Sequence, residues 1–223
     1  MTSSSDLHPP TKRRPGRATL VSSAVLRSGV FVVEGMPGAG KTTALAGLAD
    51  HGRIVLGEYT DDRAQLLDLA AHPRHDDENL HLTNWLRKDA QARHLARGGS
   101  VIADRNWLTA LGWAASVNGL ADRTAWAHAH LATGNLTLPE QWIILDCSVK
   151  TSLARRHDRI DSTHPWAEPA SLHRLRAFYA DPVLTVAPLR PGLADLISSV
   201  PVARVDAEVS RGAVGRAIAE ALP

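Results

Sequence analysis

Short continuous apolar runs alternate with longer amphipathic segments along the chain from Val30 onward. Apolar runs of this kind, bounded by turn residues, are typical of parallel strands that are buried on both faces. They predict five strands, at 30–34, 53–57, 100–104, 141–146 and 201–205. The segments between and after them predict helices at about 41–50, 62–71, 79–97, 106–117, 121–132, 149–158, 169–180 and 210–221. This alternation indicates an α/β fold, a three-layer sandwich in which helices cover both faces of a mostly parallel five-stranded sheet.

The first 28 residues differ from the rest of the chain in composition and charge. Residues 1–18 are dominated by Ser, Pro and basic side chains without apolar periodicity, which predicts a disordered extension. This extension is a solvated leader or, alternatively, a nucleic-acid arm or docking peptide. Within 1–28, five basic side chains against one acidic one give a net charge of +4, whereas the remaining 20 basic and 22 acidic side chains leave −2. We therefore expect a basic tail at 1–28 and one domain at 29–223 that has no general attraction for nucleic acid.

The composition of the 223 residues excludes several classes of protein. The single cysteine, Cys147, cannot form an internal disulfide, and Cys and His do not recur at zinc-finger spacing. No stretch approaches the roughly 18 consecutive apolar residues that span a bilayer, and the N-terminal segment lacks an apolar signal core. We expect a folded cytoplasmic protein without a membrane partner.

A glycine-rich motif follows the first predicted strand. Residues 35–42 read GMPGAGKT and match G-x-x-x-x-G-K-[ST] at every fixed position, between an apolar strand and a helical run. The glycines let backbone N–H groups turn towards an anion at the positive end of the helix dipole. In this motif Lys41 reaches the β- and γ-phosphates of ATP and the Thr42 hydroxyl binds Mg²⁺. The residues expected to hold the nucleotide are Gly35, Met36, Pro37, Gly38, Ala39, Gly40, Lys41, Thr42 and Thr43.

An acidic and a basic residue, Asp104 and Arg105, stand at the end of the predicted strand at 100–104. Ligands of open α/β sheets bind at the carboxyl ends of the strands, so both residues lie where a nucleotide is expected. Asp104 can hold Mg²⁺ through water, and the guanidinium of Arg105 can bind a phosphate with two N–H groups. A helix cap followed by a surface arginine is the alternative interpretation of this pair.

Three arginines, Arg155, Arg156 and Arg159, follow the fourth predicted strand and precede the loop-like stretch STHPWAEP. By themselves they also fit a solvated basic helix end. Together with other segments they resemble thymidylate kinases and, more broadly, P-loop nucleoside and nucleotide kinases. The resemblance runs in order through VVEGMPGAGKTT, LARGGSVIADR, TLPEQWIILDCSVKTSLARR, DRID, HRLRAFY and VARVDAEVSRGAVGRAI, which span most of residues 30–221.

The resemblance implies a kinase that uses ATP and Mg²⁺ to phosphorylate a nucleoside monophosphate. By this resemblance, the transferring phosphoryl group would be stabilised by Lys41, Arg105 and one or more of Arg155, Arg156 and Arg159. Asp104 and Thr42 would bind Mg²⁺. A mobile lid at about 155–168 would carry the arginines and exclude water that would otherwise hydrolyse ATP. Pairing into a homodimer is also implied by the family alone.

The predicted acceptor site departs from the thymidylate kinase pattern. Where that family has a segment like R-E-P-G-G-T, the chain reads GEYTDD, and only Glu58 is retained. A nucleoside hydroxyl must lose a proton to attack, and a carboxylate such as Glu58 can act as its general base. A nucleoside, or a nucleoside-like compound, is therefore an open alternative to the monophosphate acceptor. A P-loop switch or accessory ATPase is an alternative of another class, and an exposed loop carboxylate is the non-catalytic interpretation of Glu58.

Further candidates for contact with the acceptor lie on the predicted helix at 79–97 and its neighbour. One polar face of the helix, which is either solvated or binds the acceptor, carries Thr83, Arg87, Gln91 and His94. Side chains that can stack on a base, or form part of the core, are Trp85, Trp107 and Trp113. The predicted substrate-binding residues are Glu58, Trp85, Arg87 and Arg105.

Overall fold

The computed structural model describes residues 29–59, 78–158, 160 and 162–223. The strands in these ranges are β1 (Gly29–Gly35), β2 (Ile54–Leu56), β3 (Ser100–Asp104), β4 (Gln141–Asp146) and β5 (Val202–Asp206). Each of them overlaps one predicted strand, and the ends differ by no more than one residue. The agreement is close because a continuous apolar run between turn residues can bury both faces only inside a sheet.

The five strands form one parallel sheet in the order β2–β3–β1–β4–β5. The central strand is β1, in which Val33 is paired with Asp104 of β3 and Gly35 is paired with Leu145 of β4. All carboxyl ends therefore meet at one edge of the sheet, and the end of β3 lies beside the glycine-rich motif. The predicted α/β fold with a parallel five-stranded sheet is confirmed.

Helices pack around this sheet in two groups. Their bounds are α1 (Lys41–Asp50), α2 (Glu78–Ala96), α3 (Trp107–Val117), α4 (Leu120–Ala132), α5 (Val149–Ala154), α6 (Pro169–Ala180), α7 (Pro182–Val186), α8 (Pro191–Ser198) and α9 (Arg211–Ala221). In one group, α1 packs against α9. In the other, α3 packs against α2, α4 and α6. None of the helices in the described ranges is long and apolar enough to cross a membrane.

The helices differ from the sequence prediction in three places. The predicted helix at 62–71 lies outside the described residues. The helix predicted at 149–158 ends at Ala154, so Arg155 and Arg156 follow it rather than belong to it. The short helices α7 and α8, and a 3₁₀ turn at Pro165–Ala167, were not predicted.

Core packing explains the central position of the sheet. The side chains of Val33, Ile102 and Ile143, from three neighbouring strands, are at most 1% exposed. Trp107 of α3 packs edge to face on Trp142 of β4, with ring centroids 5.8 Å apart. Burial of large apolar side chains on both faces stabilises the sheet and holds its carboxyl edge in place.

Candidate functional site

The glycine-rich motif connects β1 to α1 by a turn that only glycine tolerates at two positions. Gly35 has φ of +121°, and a Cβ there would lie 2.1 Å from the carbonyl oxygen of Leu145. Gly40 precedes α1 with φ of +94°. Because these positions allow left-handed backbone, the loop turns sharply and the N-terminus of α1 faces its interior.

Lys41, the first residue of α1, lies across the loop that precedes it. Its ammonium donates to the carbonyl oxygens of Gly35 at 3.0 Å and Met36 at 2.9 Å. Burial, followed by repulsion from Arg105, lowers the pKa of Lys41 to about 8. A phosphate in the loop would add an anionic partner for this ammonium, whose two hydrogen-bond acceptors are neutral carbonyls.

Thr42 and Asp104 meet at the same edge of the sheet. The Thr42 hydroxyl donates to Oδ2 of Asp104 at 3.0 Å. The other carboxylate oxygen, Oδ1, is buried and has no hydrogen-bond partner within the part of the chain that the structure describes. Burial, followed by repulsion from Glu58, raises the pKa of Asp104. An unsatisfied buried carboxylate oxygen beside a hydroxyl suits a hard divalent cation with oxygen ligands, so these two residues fit Mg²⁺.

Arg105 follows β3 in the left-handed region, with φ of +68°. Its backbone N–H donates to the carbonyl of Val33 at 2.9 Å, and its Nη1 donates to the carbonyl of Gly35 at 3.2 Å. Although burial opposes the charge, Glu58 and other anionic neighbours raise the pKa of Arg105, so it is a permanent cation. The predicted placement of Arg105 at the phosphate edge agrees with this position.

A fully buried glutamate, Glu34, anchors this arginine and was not identified from the sequence. Its Oε2 accepts from the hydroxyls of Thr109 at 2.7 Å and Tyr179 at 2.9 Å, and its Oε1 accepts from the N–H of Asn106 at 2.9 Å. Nη1 of Arg105 lies 3.7 Å from the same carboxylate. Burial, followed by the charge of Glu34, raises the pKa of Tyr179. The sequence feature that could have identified Glu34 is a charged residue at the end of the apolar run VFVVE, because a buried charge needs a partner.

Glu58 lies just after β2 and faces the arginine. Its Oε1 is 3.1 Å from Nε of Arg105, and its side chain is 26% exposed. Its backbone carbonyl accepts from Asn84 and from Lys88, each at 3.3 Å. The structure thus brings the predicted residues Glu58, Asp104 and Arg105 together at one edge, with Lys41 near enough to interact electrostatically with all three.

Lys88 is a second buried lysine at this edge and was also missed. Its side chain is almost fully buried, and its ammonium donates to the backbone carbonyls of Asp104 and Glu58. Burial lowers the pKa of Lys88 to about 8, although Asp104 and Glu58 partly offset that effect. The signal in the sequence was its place on the same helix stripe as Trp85 and Ala92, which are both buried.

The family of the chain follows from its match to a family model. The model described as AAA domain matches residues 30–181, which is more than half of the chain. The chain belongs to the AAA domain family. No curated protein matches this AAA domain protein.

Solved structures share the fold of this AAA domain. The structure of deoxyadenosine kinase from M. mycoides with bound dATP has a TM-score of 0.56 at 16% identity, covering 86% of this chain and 98% of that chain. A structure of the same kinase with the products dCMP and a flexible dCDP has a TM-score of 0.53 at 16% identity, covering 86% and 97%. At this identity the similarity establishes a common fold.

The aromatic candidates of the AAA domain have three different environments. Trp85 is buried and lies 5.9 Å from the ring of Tyr59, which also hydrogen-bonds His81 at 3.0 Å. Trp107 is a core residue whose indole N–H donates to the carbonyl of Thr137 at 2.9 Å. Trp113 packs on Trp166, with ring centroids 5.2 Å apart. Of the three, Trp85 lies next to the loop that carries Glu58.

Within the described residues, the predicted polar face of α2 is not the face that contacts Glu58 and Tyr59. Thr83, Arg87 and His94 are exposed, and Gln91 is half-buried. The residues of α2 that contact Glu58 or Tyr59 are His81, Asn84, Trp85 and Lys88. The two faces are offset by about 100°, the rotation between successive residues of an α-helix.

Two of the three predicted lid arginines donate to backbone carbonyls, and one of those carbonyls belongs to the phosphate loop. Nη1 of Arg155 donates to the carbonyls of Gly38 at 3.3 Å and Ala207 at 2.9 Å. Nη2 of Arg156 donates to the carbonyl of Trp166 at 2.8 Å. Arg159, the third, lies outside the described residues. The arginine-bearing lid at 155–168 stays a prediction.

Proposed function

We propose that the protein transfers the γ-phosphoryl group of ATP to a hydroxyl of a nucleoside or a nucleoside-like small molecule. The observation that carries this proposal is the Glu58 carboxylate, 3.1 Å from Arg105 at the phosphate edge of the sheet. Glu58 lies near Asp104 and Lys41, but it follows β2, the edge strand on the opposite side of the sheet from β4 and β5. One edge thus holds groups for a nucleotide and a separate base for an acceptor.

The nucleotide half of the site consists of the glycine-rich loop, Lys41, Thr42 and Asp104. The loop N–H groups and the Lys41 ammonium bind phosphates, and the Thr42 hydroxyl and Asp104 hold Mg²⁺. When bound, Mg²⁺ neutralises charge on the β- and γ-phosphates and orients them. Arg105 adds a fixed cation whose side chain is already oriented by the Gly35 carbonyl and Tyr179.

A hydroxyl acceptor suits the acceptor half better than a phosphate. A monophosphate would bring a dianion against Glu58, whose carboxylate is already negative, whereas a hydroxyl needs a base to accept its proton. Arg105 holds the carboxylate at the edge and so keeps it directed towards the reacting groups. The similarity in fold to a deoxyadenosine kinase, in structures with bound dATP or with the product dCMP, supports a nucleoside acceptor.

The monophosphate acceptor expected from the thymidylate kinase resemblance stays a prediction, and one experiment separates it from the proposal. Turnover is measured by a coupled assay across nucleosides and nucleoside monophosphates, with Glu58→Gln and with Glu220→Gln, an exposed residue of α9, as the matched control. We expect turnover with hydroxyl acceptors and a loss of about 100-fold or more in kcat for Glu58→Gln. Affinity for Mg·ATP should stay the same in both variants.

Two results would contradict this proposal. Turnover confined to monophosphates, and indifferent to Glu58→Gln, would establish the nucleotide kinase instead. ATP hydrolysis without phosphorylation of any acceptor, together with loss of a partner protein in Lys41→Ala, would favour the switch or accessory ATPase.

A second prediction concerns the metal. Asp104→Asn should raise the Mg²⁺ concentration needed for half-maximal turnover by about 10- to 100-fold, because the amide is a weaker ligand than the carboxylate. Asp146→Asn is the matched control, since Asp146 also ends a strand but pairs with Arg176 on the exposed surface. Equal Mg²⁺ requirements in both variants would remove Asp104 from the metal site.

A further inference from the structure

One face of α2 contacts the residues that follow β2. It carries His81, Asn84, Trp85 and Lys88, at the i, i+3, i+4 and i+7 positions of a helix stripe. His81 hydrogen-bonds the Tyr59 hydroxyl, and Trp85 lies against the Tyr59 ring. The loop that presents Glu58 is therefore held by side chains of α2 as well as by its own strand.

Within this face, Lys88 joins the two sides of the site. Its ammonium donates to the carbonyl of Glu58, just after β2, and to the carbonyl of Asp104, at the end of β3. Those two residues carry the carboxylates assigned above to the acceptor and to the metal. Asn84, one turn earlier, also donates to the Glu58 carbonyl. A single buried cation thus connects the backbone of both carboxylate residues.

The charges around Lys88 explain why a lysine is stable there at all. Glu34, Glu58 and Asp104 attract its ammonium, while Arg105 repels it. Lys41 is surrounded by the same carboxylates and the same arginine. Three carboxylates and three cations therefore form one network, buried except at Glu58, in which removal of a single charge leaves the others uncompensated.

We propose that Lys88 is a positioning residue, which fixes the distance between the Glu58 base and the Asp104 metal ligand. This inference rests on the proposed function, because it acts through Glu58. Phosphoryl transfer depends on the alignment of the attacking and leaving oxygens, and a displacement of about 1 Å can cost about 100-fold in rate. Lys88 would set that alignment through its hydrogen bonds to the backbone carbonyls of Glu58 and Asp104.

The test is a double-mutant cycle between Lys88→Met and Glu58→Gln, with ATP as donor and the best hydroxyl acceptor. Lys88→Met alone should lower kcat by about tenfold or more, while the Kd of Mg·ATP changes less than about twofold. In the Glu58→Gln background the same substitution should cost less than about threefold, because the base it positions is gone. Arg123→Met is the matched control: Arg123 is also buried, but it pairs with Glu78 at the start of α2.

Two milder variants keep the test decisive if Lys88→Met does not fold. Lys88→Arg retains the charge and the donors and should recover part of kcat. Asn84→Ala removes one donor to the Glu58 carbonyl and should lower kcat by about two- to fivefold, again only when Glu58 is present. Circular dichroism and thermal unfolding of each variant separate loss of fold from loss of alignment.

The outcomes distinguish this inference from the function on which it rests. An equal cost of Lys88→Met with and without Glu58, or an unchanged kcat in a folded variant, would overturn the positioning role alone. A loss of Mg·ATP affinity that matches the loss of kcat would make Lys88 a nucleotide-binding residue. Absence of wild-type turnover with every hydroxyl acceptor would overturn the proposed function and this inference together.

Discussion

Arg105 occupies a backbone conformation that costs a residue with a Cβ about 1–2 kcal/mol. Its φ of +68° is retained because the N–H donates to Val33 and the guanidinium is hydrogen-bonded on one side. The same conformation turns the side chain back towards the phosphate loop. Strain at this residue thus accompanies the orientation that places a fixed cation beside Glu58.

Removal of the Tyr179 hydroxyl tests the orientation of the Arg105 side chain with a small structural change. Tyr179→Phe deletes a donor to Glu34 and a neighbour of Nη1 of Arg105, without changing the ring. We expect kcat to fall about tenfold through displacement of Arg105, and the free energy of unfolding to fall by about 2 kcal/mol, since the lost bond goes to a charged group. Steady-state kinetics and urea unfolding give the two values.

Thr124→Val is the control for this prediction. The Thr124 hydroxyl is also fully buried, but it donates to the carbonyl of Ala121 within its own helix. A smaller loss of stability, of about 1 kcal/mol for a bond between neutral groups, is expected there with normal kcat. If Tyr179→Phe behaved in the same way, the tyrosine would be a packing residue only.

At the scale of elements, the short helix α5 depends on a residue far along the chain. Glu208, in the loop after β5, accepts from the Thr151 hydroxyl at 2.6 Å and from the backbone N–H of Ser148. The Ser152 hydroxyl of α5 in turn donates to the carbonyl of Pro37 at 2.7 Å. The loop after β5 therefore fixes the helix that supports the phosphate loop and precedes Arg155.

This arrangement predicts a dependence of stability on acid. Hydrogen bonds from Thr151 and then Ser148 lower the pKa of Glu208 from 4.5 to about 2. Between these values the unfolded chain binds more protons than the folded one, so the contribution of Glu208 is complete above pH 4.5 and is lost as the pH falls through 2. Denaturant unfolding of wild type and Glu208→Gln should differ at neutral pH and converge in acid. If the difference in unfolding free energy between the two proteins stayed constant with pH, the Glu208 carboxylate would not stabilise the start of α5.

At the scale of the whole molecule, the first described strand lies at the centre of the sheet. β1 starts at Gly29 and is the central strand of the sheet, whereas residues 1–28 lie outside the described residues. The charge of +4 on 1–28 is also separate from the −2 of the remaining chain. The domain boundary at 28/29 stays a prediction from sequence.

Removal of residues 1–26 tests that boundary. The shortened chain should keep its free energy of unfolding within about 0.5 kcal/mol, because no strand or helix of the described ranges is cut. Its kcat and Mg·ATP affinity should match those of the full chain, with Lys41→Ala of the full chain as the inactive reference. A large loss of stability would place part of this segment inside the domain.

Much of the fold and of the nucleotide half of the site could be predicted from sequence. The strands, the glycine-rich loop, Asp104 and Arg105 were found because buried apolar runs and the loop motif are local patterns. The short helices α7 and α8 were missed, although both begin with a proline, and Asp181 caps α7. With only 5 residues, α7 is too short to show a helical period.

What the sequence determined by itself is therefore the parallel α/β sheet and the phosphate loop, since each is encoded by neighbouring residues. Only the tertiary structure decided that Glu34 and Tyr179 hold Arg105, that Glu58 faces it, and that His81, Asn84, Trp85 and Lys88 of α2 contact Glu58 or Tyr59. These contacts join residues from separate strands and helices, and their side chains meet only because the sheet order brings β2, β3 and β1 together. A linear pattern contains no information about which distant polar groups satisfy one another once they are buried.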